Sequence, residues 1–416
     1  MPEHFLFKSV NNHYNKRTMT TNKFVIFAPS LSGGGAERVI STLSIQAPSS
    51  IEISIILLRG EISYLVKHTI FLVEYPTNRR GLIKSLIKFA KLLRSQKPKT
   101  VLFFGKLGML DYFIAVSSSI SYTILRVQNY NFEKFVRGAL RRFVTRLRER
   151  LVLQFFVDEF IAVSKPIKSK LSREYGIPEN RINVIYNPCD ISLINKLACE
   201  KIEESLLELF AHQVIINVGG LVRAKGQWHL IRAFKRVSQE VPDARLVILG
   251  EGVLKNYLEK LISDLNLNDE VFLLGWRSNP FKYMARSFLF CFPSLWEGFG
   301  NAIVEALACG LPVMSADCLS GPREILAPGT RYKVYQLKRP EYAEYGILMP
   351  VMDGKFYSVS DPLTWQEEVW AEEIIRCLSN PKELEGYKVK APLCAKSFEA
   401  KKTVKRYFNT IFNDHV

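Results

Sequence analysis

Two glutamates stand eight residues apart in the run SLWEGFGNAIVEALACGLPV, which combines a glycine-containing loop with the start of a helix. The loop glycines let the backbone approach a ligand closely. The helix start near Asn301 offers unpaired N–H groups and a positive dipole to an anion such as diphosphate. Glu305, one turn into the helix, can accept hydrogen bonds from a sugar diol, and Glu297 can face a reacting sugar. The spacing alone is equally compatible with a plain strand–loop–helix unit that carries two surface glutamates.

Basic residues follow a second glycine-rich turn, at the end of another apolar run. Lys225 lies in the loop after Gly220, where its ammonium could neutralise a phosphate group, and Arg223 could assist it. Loop cations of this kind are more often simply solvated. The pattern therefore leaves open a phosphate ligand and an ordinary surface loop.

Three consecutive glycines follow the first apolar run, in the segment APSLSGGGAERVIS. Gly34 and Gly35 could meet a phosphate or a sugar because they carry no side chain. The segment matches neither the G-x-G-x-x-G dinucleotide pattern nor the G-K-[ST] of an ATPase phosphate loop. Tight packing of the turn would explain the glycines equally well.

Short apolar runs alternate with helix-period segments along the chain. This pattern predicts strands and helices that position the glycine-containing turns. The runs of the second half each end in small residues or proline, and open α/β sheets place ligands at such carboxyl ends. The pattern breaks near residue 190 and then restarts, which predicts an α/β protein with two doubly wound parallel-sheet domains facing a cleft. The strand candidates are Lys23–Pro29, Ile51–Gly60, Thr100–Gly105, Tyr122–Gln128, Glu159–Ser164, Asn183–Ile191, Val214–Gly220, Ala244–Gly252, Glu270–Trp276, Phe288–Ser294 and Leu311–Ala316.

Length and composition agree with two globular cores. The chain has 416 residues, of which 48% are hydrophobic and 23% charged, and this excludes a mainly disordered chain. Seven cysteines without a C-x-x-C pair indicate reduced thiols in a cytosolic protein. No targeting or membrane-spanning segment is evident, so the expected location is cytoplasmic. The expected organisation is an N-terminal extension (1–22), a first domain (23–190), a second domain (191–395) and a C-terminal helix (396–416) that packs back onto the first domain.

The formal net charge of +17 points to an anionic partner: nucleic acid, acidic lipid or a phosphorylated substrate. The segment Arg137–Arg150 carries six arginines beside an apolar stripe, and Lys84–Lys99 is similarly basic and amphipathic. Such helices suit an anionic membrane surface at the inner face of the plasma membrane. Alternatively, the stripe packs on the domain's own sheet. No zinc-ligand spacing, RNA-binding aromatic signature or recognition-helix motif supports nucleic acid as the partner.

Taken in order, the motifs resemble the retaining glycosyltransferases of the GT-B architecture, family 4, which build bacterial surface polysaccharides such as O-antigen and lipopolysaccharide. The resemblance covers nearly everything from Lys23 onward. It implies two Rossmann-like domains, the first on the acceptor side and the second binding a nucleotide-sugar donor. The motifs that carry it are GGGAERV, VSKPIKSKLSREYGIPENRINVIYNPCD, the K-G-Q loop, EGFGNAIVEALACGLPV and SGPREIL.

The same resemblance implies roles for individual residues. Glu297 would contact the donor hexose at its reacting face, Lys225 would counter the charge on the leaving diphosphate, and Glu305 would hold the ribose hydroxyls. The remaining donor contacts would come from the backbone of Phe299, Gly300 and Asn301 and from the region after Gly275, with Gly34 and Gly35 approaching from the opposite domain.

Two positions depart from the family pattern. The family usually has an arginine where Gly220 stands, so one of two cationic phosphate ligands is missing unless Arg223 supplies it. Many relatives also carry a histidine near the position of Gln128. Glutamine cannot act as a general base, but its amide can hydrogen-bond a sugar hydroxyl on the acceptor side.

The expected function is transfer, with retention of configuration, of a hexose or N-acetylhexosamine from a UDP-sugar to a lipid-linked saccharide. No Asp-x-Asp triplet occurs, so we expect no metal and no other cofactor, and charge stabilisation falls to Lys225 and a helix start. Three alternatives stay open. They are a GT-B enzyme with a soluble acceptor, such as a sucrose- or glycogen-type synthase; a relative that only binds ligands; and a basic nucleic-acid-binding protein.

Overall fold

The computed structural model describes residues 22–32, 34–73, 79–104, 122–128, 139–330 and 337–412, without the side chains of 22, 79–83, 86, 139–146 and 148. Most of the expected N-terminal extension, and the first two residues of the arginine-rich segment, therefore lie outside the described residues. No helix in the described ranges combines the length and the apolar character needed to span a bilayer.

The first domain is built on a seven-stranded parallel sheet with the order β3-β2-β1-β4-β5-β6-β7. Its central strand β4 is buried on both faces, as expected where helices cover a parallel sheet on either side. Its strands are β1 (Asn22–Ala28), β2 (Ile51–Leu57), β3 (Thr69–Leu72), β4 (Thr100–Phe104), β5 (Tyr122–Val127), β6 (Glu159–Ala162) and β7 (Ile182–Val184). Its helices are α1 (Gly35–Ile45), α2 (Arg79–Gln96), α3 (Ala139–Phe156) and α4 (Lys165–Tyr175).

The second domain repeats this plan in the order β10-β9-β8-β11-β12-β14-β13, and its edge strand β13 is antiparallel. Its strands are β8 (Gln213–Val218), β9 (Ala244–Leu249), β10 (Val271–Gly275), β11 (Leu289–Phe292), β12 (Val313–Ala316), β13 (Glu341–Tyr342) and β14 (Ile347–Met349). Its helices are α5 (Ile191–Ala198), α6 (Gln227–Glu240), α7 (Lys255–Asp264), α8 (Phe281–Met284), α9 (Asn301–Ala308), α10 (Pro322–Leu326), α11 (Trp365–Ser379) and α12 (Lys382–Lys396). The prediction of two doubly wound domains is confirmed.

A last helix, α13 (Ala400–Phe412), lies against the first domain although it follows the second. The ring of Phe24 in β1 lies 5.9 Å from the ring of Phe408 and 5.7 Å from that of Phe412. The chain crosses between the domains beside Cys189, whose N–H donates to the carbonyl of Phe398 and whose carbonyl accepts from Ala400 N at the start of α13. Burial of its aromatic residues therefore ties the end of the chain to the first sheet.

Three strands, β3, β13 and β14, have no counterpart among the sequence-based candidates. β3 is only partly buried and β13 has two residues, so neither produces the apolar run that marks a buried strand. These strands arise from pairing with longer neighbours.

Candidate active site

A cleft of about 490 Å³ separates the carboxyl ends of the two sheets. The second domain contributes the loop after β8, the loop after β11 and the start of α9. The first domain contributes the glycine turn before α1 and the end of β5. The sequence-predicted residues that line this cleft are Gly34, Gly35, Gln128, Lys225, Glu297, Phe299, Gly300, Asn301 and Glu305.

Lys225 and Glu297 form an ion pair in the cleft, with Nζ 2.5 Å from Oε1. The lysine lies in a one-turn 3₁₀ helix (Arg223–Lys225) that the backbone ties to the second loop, since Leu295 N donates to Ala224 O at 2.8 Å. Glu297 is held by hydrogen bonds between its backbone and the segment 319–320. Two loops about 70 residues apart in sequence thus bring one cation and one carboxylate into contact.

The start of α9 faces the same space. Gly300 precedes the helix with φ +93°, a left-handed conformation that favours glycine, and no side chain among the described residues caps the first turn. Unpaired N–H groups of this turn and the helix dipole therefore create positive potential beside the Lys225–Glu297 pair.

The backbones of the two domains lie close together at Gly298. A Cβ atom on this glycine would lie 1.8 Å from the carbonyl oxygen of Gln128, so only glycine permits the contact. Nearby, Asn301 Nδ2 donates to the carbonyl of Gly35 at 3.1 Å, and Asn187 Nδ2 donates to Asn301 Oδ1 at 2.6 Å. Direct contacts between the domains therefore lie beside the predicted donor loop.

Arg38 of α1 pairs with Glu305 of α9 across the domain interface. Burial opposes the charge on the Arg38 guanidinium, but Glu305 and Tyr64 together outweigh that effect and raise the arginine pKa above its ordinary value. The guanidinium also lies over the rings of Tyr64 and Phe281. The carboxylate expected to hold ribose hydroxyls thus already has a cationic partner.

Two further predicted residues lie elsewhere. Arg223 points to the loop before α11, where it donates to Gly354 O at 3.0 Å and lies over the Phe356 ring, and it is not among the described residues that line the cleft. Gly275 ends β10 with φ +73° and accepts a hydrogen bond from Gly250 N. Phe299, in contrast, lines the cleft, where it is buried and stacks on Tyr186.

Sequence reasoning did not single out Arg38, Arg126 or Asn187. Arg38 lies three residues after Gly35, in the first turn of α1. Arg126 is the one charged residue in the apolar run YTILRV. A charged residue in an otherwise buried strand is the signal that could have drawn attention to it, since such a charge requires partners.

Two family models match the chain. The model described as Glycosyl transferases group 1 matches residues 200–342, and that described as Glycosyltransferase Family 4 matches residues 33–193. An uncharacterized glycosyltransferase of Methanocaldococcus jannaschii is 33% identical, over 79% of this chain and 78% of the relative. This chain belongs to the group 1 glycosyltransferases.

Two other glycosyltransferases of the family have more specific names. The N-acetylgalactosamine-N,N'-diacetylbacillosaminyl-diphospho-undecaprenol 4-alpha-N-acetylgalactosaminyltransferase of Campylobacter jejuni is 33% identical over 73% of this chain and 83% of the relative. The UDP-Gal:alpha-D-GlcNAc-diphosphoundecaprenol alpha-1,3-galactosyltransferase of Escherichia coli is 30% identical over 55% of this chain and 60% of the relative.

Solved structures show that this glycosyltransferase has the GT-B fold. Anabaena HepE in complex with UDP and glucose matches with a TM-score of 0.73 and 18% identity, over 94% of this chain and all of that one. WaaG, a glycosyltransferase involved in lipopolysaccharide biosynthesis, matches with a TM-score of 0.68 and 14% identity, over 94% of this chain and 100% of the other.

Proposed function

We propose that this glycosyltransferase moves a hexose or N-acetylhexosamine from a UDP-sugar to a lipid-linked saccharide during synthesis of a bacterial surface polysaccharide. The observation that carries the proposal is the convergence of Lys225, Glu297 and the uncapped start of α9 in one cleft. A nucleoside diphosphate leaves readily only when its growing negative charge is stabilised, and an ammonium with preorganised N–H groups provides that.

In the proposed complex, the diphosphate lies at the start of α9 and draws the Lys225 ammonium away from Glu297. Glu297 is then free to accept a hydrogen bond from the hexose, and Glu305 accepts hydrogen bonds from the ribose hydroxyls in place of Arg38. The backbone of Phe299, Gly300 and Asn301 supplies further donors. Each carboxylate therefore exchanges a protein cation for a substrate hydroxyl.

We further propose retention of configuration without a metal or other cofactor. The acceptor hydroxyl would attack on the face from which the diphosphate leaves, and its proton would pass to the departing phosphate oxygen. The α linkages in the names of the Campylobacter jejuni and Escherichia coli relatives support retention. The absence of an Asp-x-Asp triplet from the sequence supports the metal-free part.

A lipid-linked acceptor is proposed because both of these relatives are named for diphospho-undecaprenol substrates. An exposed apolar stripe on α3 supports docking of the first domain on the inner face of the plasma membrane. Leu147, Leu151 and Phe155, spaced four residues apart, are 47%, 46% and 76% exposed. Exposed lysines on α2 add positive charge to the same domain.

A nucleotide-sugar screen tests the donor. Purified protein is incubated with UDP-glucose, UDP-galactose, UDP-N-acetylglucosamine and UDP-N-acetylgalactosamine, with and without EDTA, and release of UDP is measured. We expect release from at least one donor, unchanged by EDTA and increased by undecaprenyl-diphosphate-linked GlcNAc. Release that stops with EDTA would contradict the metal-free mechanism, and stimulation by a soluble sugar alone would favour the soluble-acceptor alternative.

Sedimentation with liposomes tests membrane docking. We expect wild-type protein to bind vesicles that contain phosphatidylglycerol more strongly than vesicles of pure phosphatidylcholine. We expect the double variant Leu151→Ser with Phe155→Ser to bind about tenfold more weakly, since each change removes apolar area that would enter the membrane. Val389→Ser in α12 is the matched control, because Val389 is 72% exposed on the second domain. Equal binding by all variants would contradict docking through α3.

A further inference from the structure

Arg126 is a fully buried cation in β5 that the proposed reaction does not use. Its three hydrogen-bond partners within the described chain are neutral. Nε donates to the Tyr407 hydroxyl at 2.9 Å, Nη1 to Gln128 Oε1 at 2.6 Å and Nη2 to Asn187 Oδ1 at 2.5 Å. The guanidinium carbon also lies 4.7 Å from the centre of the Phe104 ring. The Glu37 carboxylate in α1 interacts with this guanidinium electrostatically but is not among those hydrogen-bond partners. A buried charge is costly, so a guanidinium held by neutral hydrogen-bond partners needs a reason.

The chemistry of the guanidinium sets the orientation of the Gln128 amide. Arginine has five N–H donors and no acceptor, so the amide must turn its oxygen toward Arg126. Its Nε2 hydrogens are then left for other partners, and in the described part of the chain they have none. Gln128 lines the cleft, which makes it a fixed hydrogen-bond donor there.

A second series of hydrogen bonds starts at Arg126 and likewise runs from donor to acceptor. Asn187 gives its oxygen to Arg126, so its Nδ2 donates to Asn301 Oδ1, and Asn301 Nδ2 donates in turn to Gly35 O. One donor-only group thus orients three amides, and the second series crosses the domain interface twice. Charged donors strengthen such chains because each bond polarises the next.

We propose that Arg126 is a positioning residue that fixes Gln128 as a hydrogen-bond donor to an oxygen atom of the transferred sugar. The inference rests on the proposed function, because it places the donor hexose beside Glu297. The peptide of Gln128 contacts Gly298, the residue after Glu297, so its amide lies next to that sugar site. The oxygen is a hydroxyl or ring oxygen of the hexose.

The test separates sugar binding from nucleotide binding. Titration calorimetry measures the dissociation constants of UDP and of one UDP-sugar. The UDP-sugar is the one that the wild type hydrolyses fastest, or UDP-N-acetylglucosamine if none is hydrolysed. The variants are Arg126→Met, Gln128→Glu and the double variant. Gln128→Glu keeps an oxygen for Arg126 but removes the N–H donors. We expect either single change to weaken UDP-sugar about tenfold and UDP less than twofold, and the double change to weaken UDP-sugar no further.

Tyr407→Phe is the matched control, since it removes another Arg126 bond without touching Gln128. We expect sugar binding within twofold of wild type in this variant. Should Arg126→Met fail to fold, Arg126→Lys replaces it in the same cycle, because its ammonium reaches fewer partners.

The role of Arg126 would be overturned if the losses of UDP-sugar affinity in the two single variants added up in the double variant. It would also be overturned if Tyr407→Phe lost as much affinity as Arg126→Met. In either case, UDP binding by the wild type would leave the proposed function intact. A wild type that binds UDP no better than CMP would overturn the donor proposal and this inference with it.

Discussion

At the residue scale, the cleft contains charges that are already paired. Lys225 and Glu297 neutralise each other, and both are mostly buried. A diphosphate that enters must displace a carboxylate from the ammonium, which favours a ligand with more negative charge than one carboxylate. The pair therefore keeps the lysine in position without excluding the substrate.

Replacing the cation tests this arrangement. We expect Lys225→Met to lower kcat for sugar transfer about 100–1,000-fold, because a preorganised donor to the leaving group is lost. Thermal unfolding should change little, since the Lys225 side chain lines the cleft and is not part of a hydrophobic core. Arg223→Met is the comparison variant: we expect a smaller loss of kcat, because its guanidinium contacts the loop near Gly354. Equal losses of kcat in the two variants would indicate that Arg223 also contacts the diphosphate.

Glu297, Glu305 and Lys225 could be predicted as site candidates because loop, strand and helix signals surround them in the sequence. The direction of Arg223 could not. It depends on the carbonyl of Gly354 and the ring of Phe356, which lie about 130 residues later in the chain. Local pattern carries no information about such a partner.

At the element scale, glycine positions decide how closely the two domains meet. Gly298 lies in the loop between β11 and α9, against the end of β5. The sequence indicated close approach to a ligand at this glycine. The structure shows close approach to the other domain.

We expect Gly298→Ala to push the domains apart, because the new Cβ would overlap the Gln128 carbonyl oxygen. Transfer should fall tenfold or more while the helix content stays constant, and small-angle X-ray scattering should show a larger radius of gyration. Gly386→Ala in α12 is the control: its Cβ meets nothing within 4 Å, and we expect about 0.5–1 kcal/mol of added stability with full activity. An unchanged radius of gyration in Gly298→Ala would contradict this prediction.

At the scale of the whole molecule, the domains are joined by polar contacts around the cleft and by α13. The Arg38 guanidinium contacts Oε1 of Glu305, so in the proposed complex the ribose competes with Arg38 for this carboxylate. The unliganded state and the donor complex therefore differ in what the carboxylate binds.

This competition predicts that Arg38→Gln strengthens uridine binding about fivefold, the equivalent of about 1 kcal/mol. Uridine is the probe because it lacks phosphates that Arg38 could contact. Fluorescence or calorimetric titration measures the affinity, and added salt should strengthen wild-type binding by screening the pair. Glu305→Gln should weaken uridine binding in both backgrounds. Weaker binding by Arg38→Gln would show that the arginine assists the ligand.

The sequence by itself determined the two parallel-sheet domains, the positions of their long strands along the chain and the loops that carry the site candidates. Those features follow from local apolar runs and from glycines at strand ends, which each segment displays alone. Only the tertiary structure decided the pairing of Arg38 with Glu305, the contact of Gly298 with Gln128 and the orientation that Arg126 imposes on Asn187 and Asn301. Each of these joins residues from different domains or distant segments, and the geometry of a long-range contact exists only once both partners have been packed.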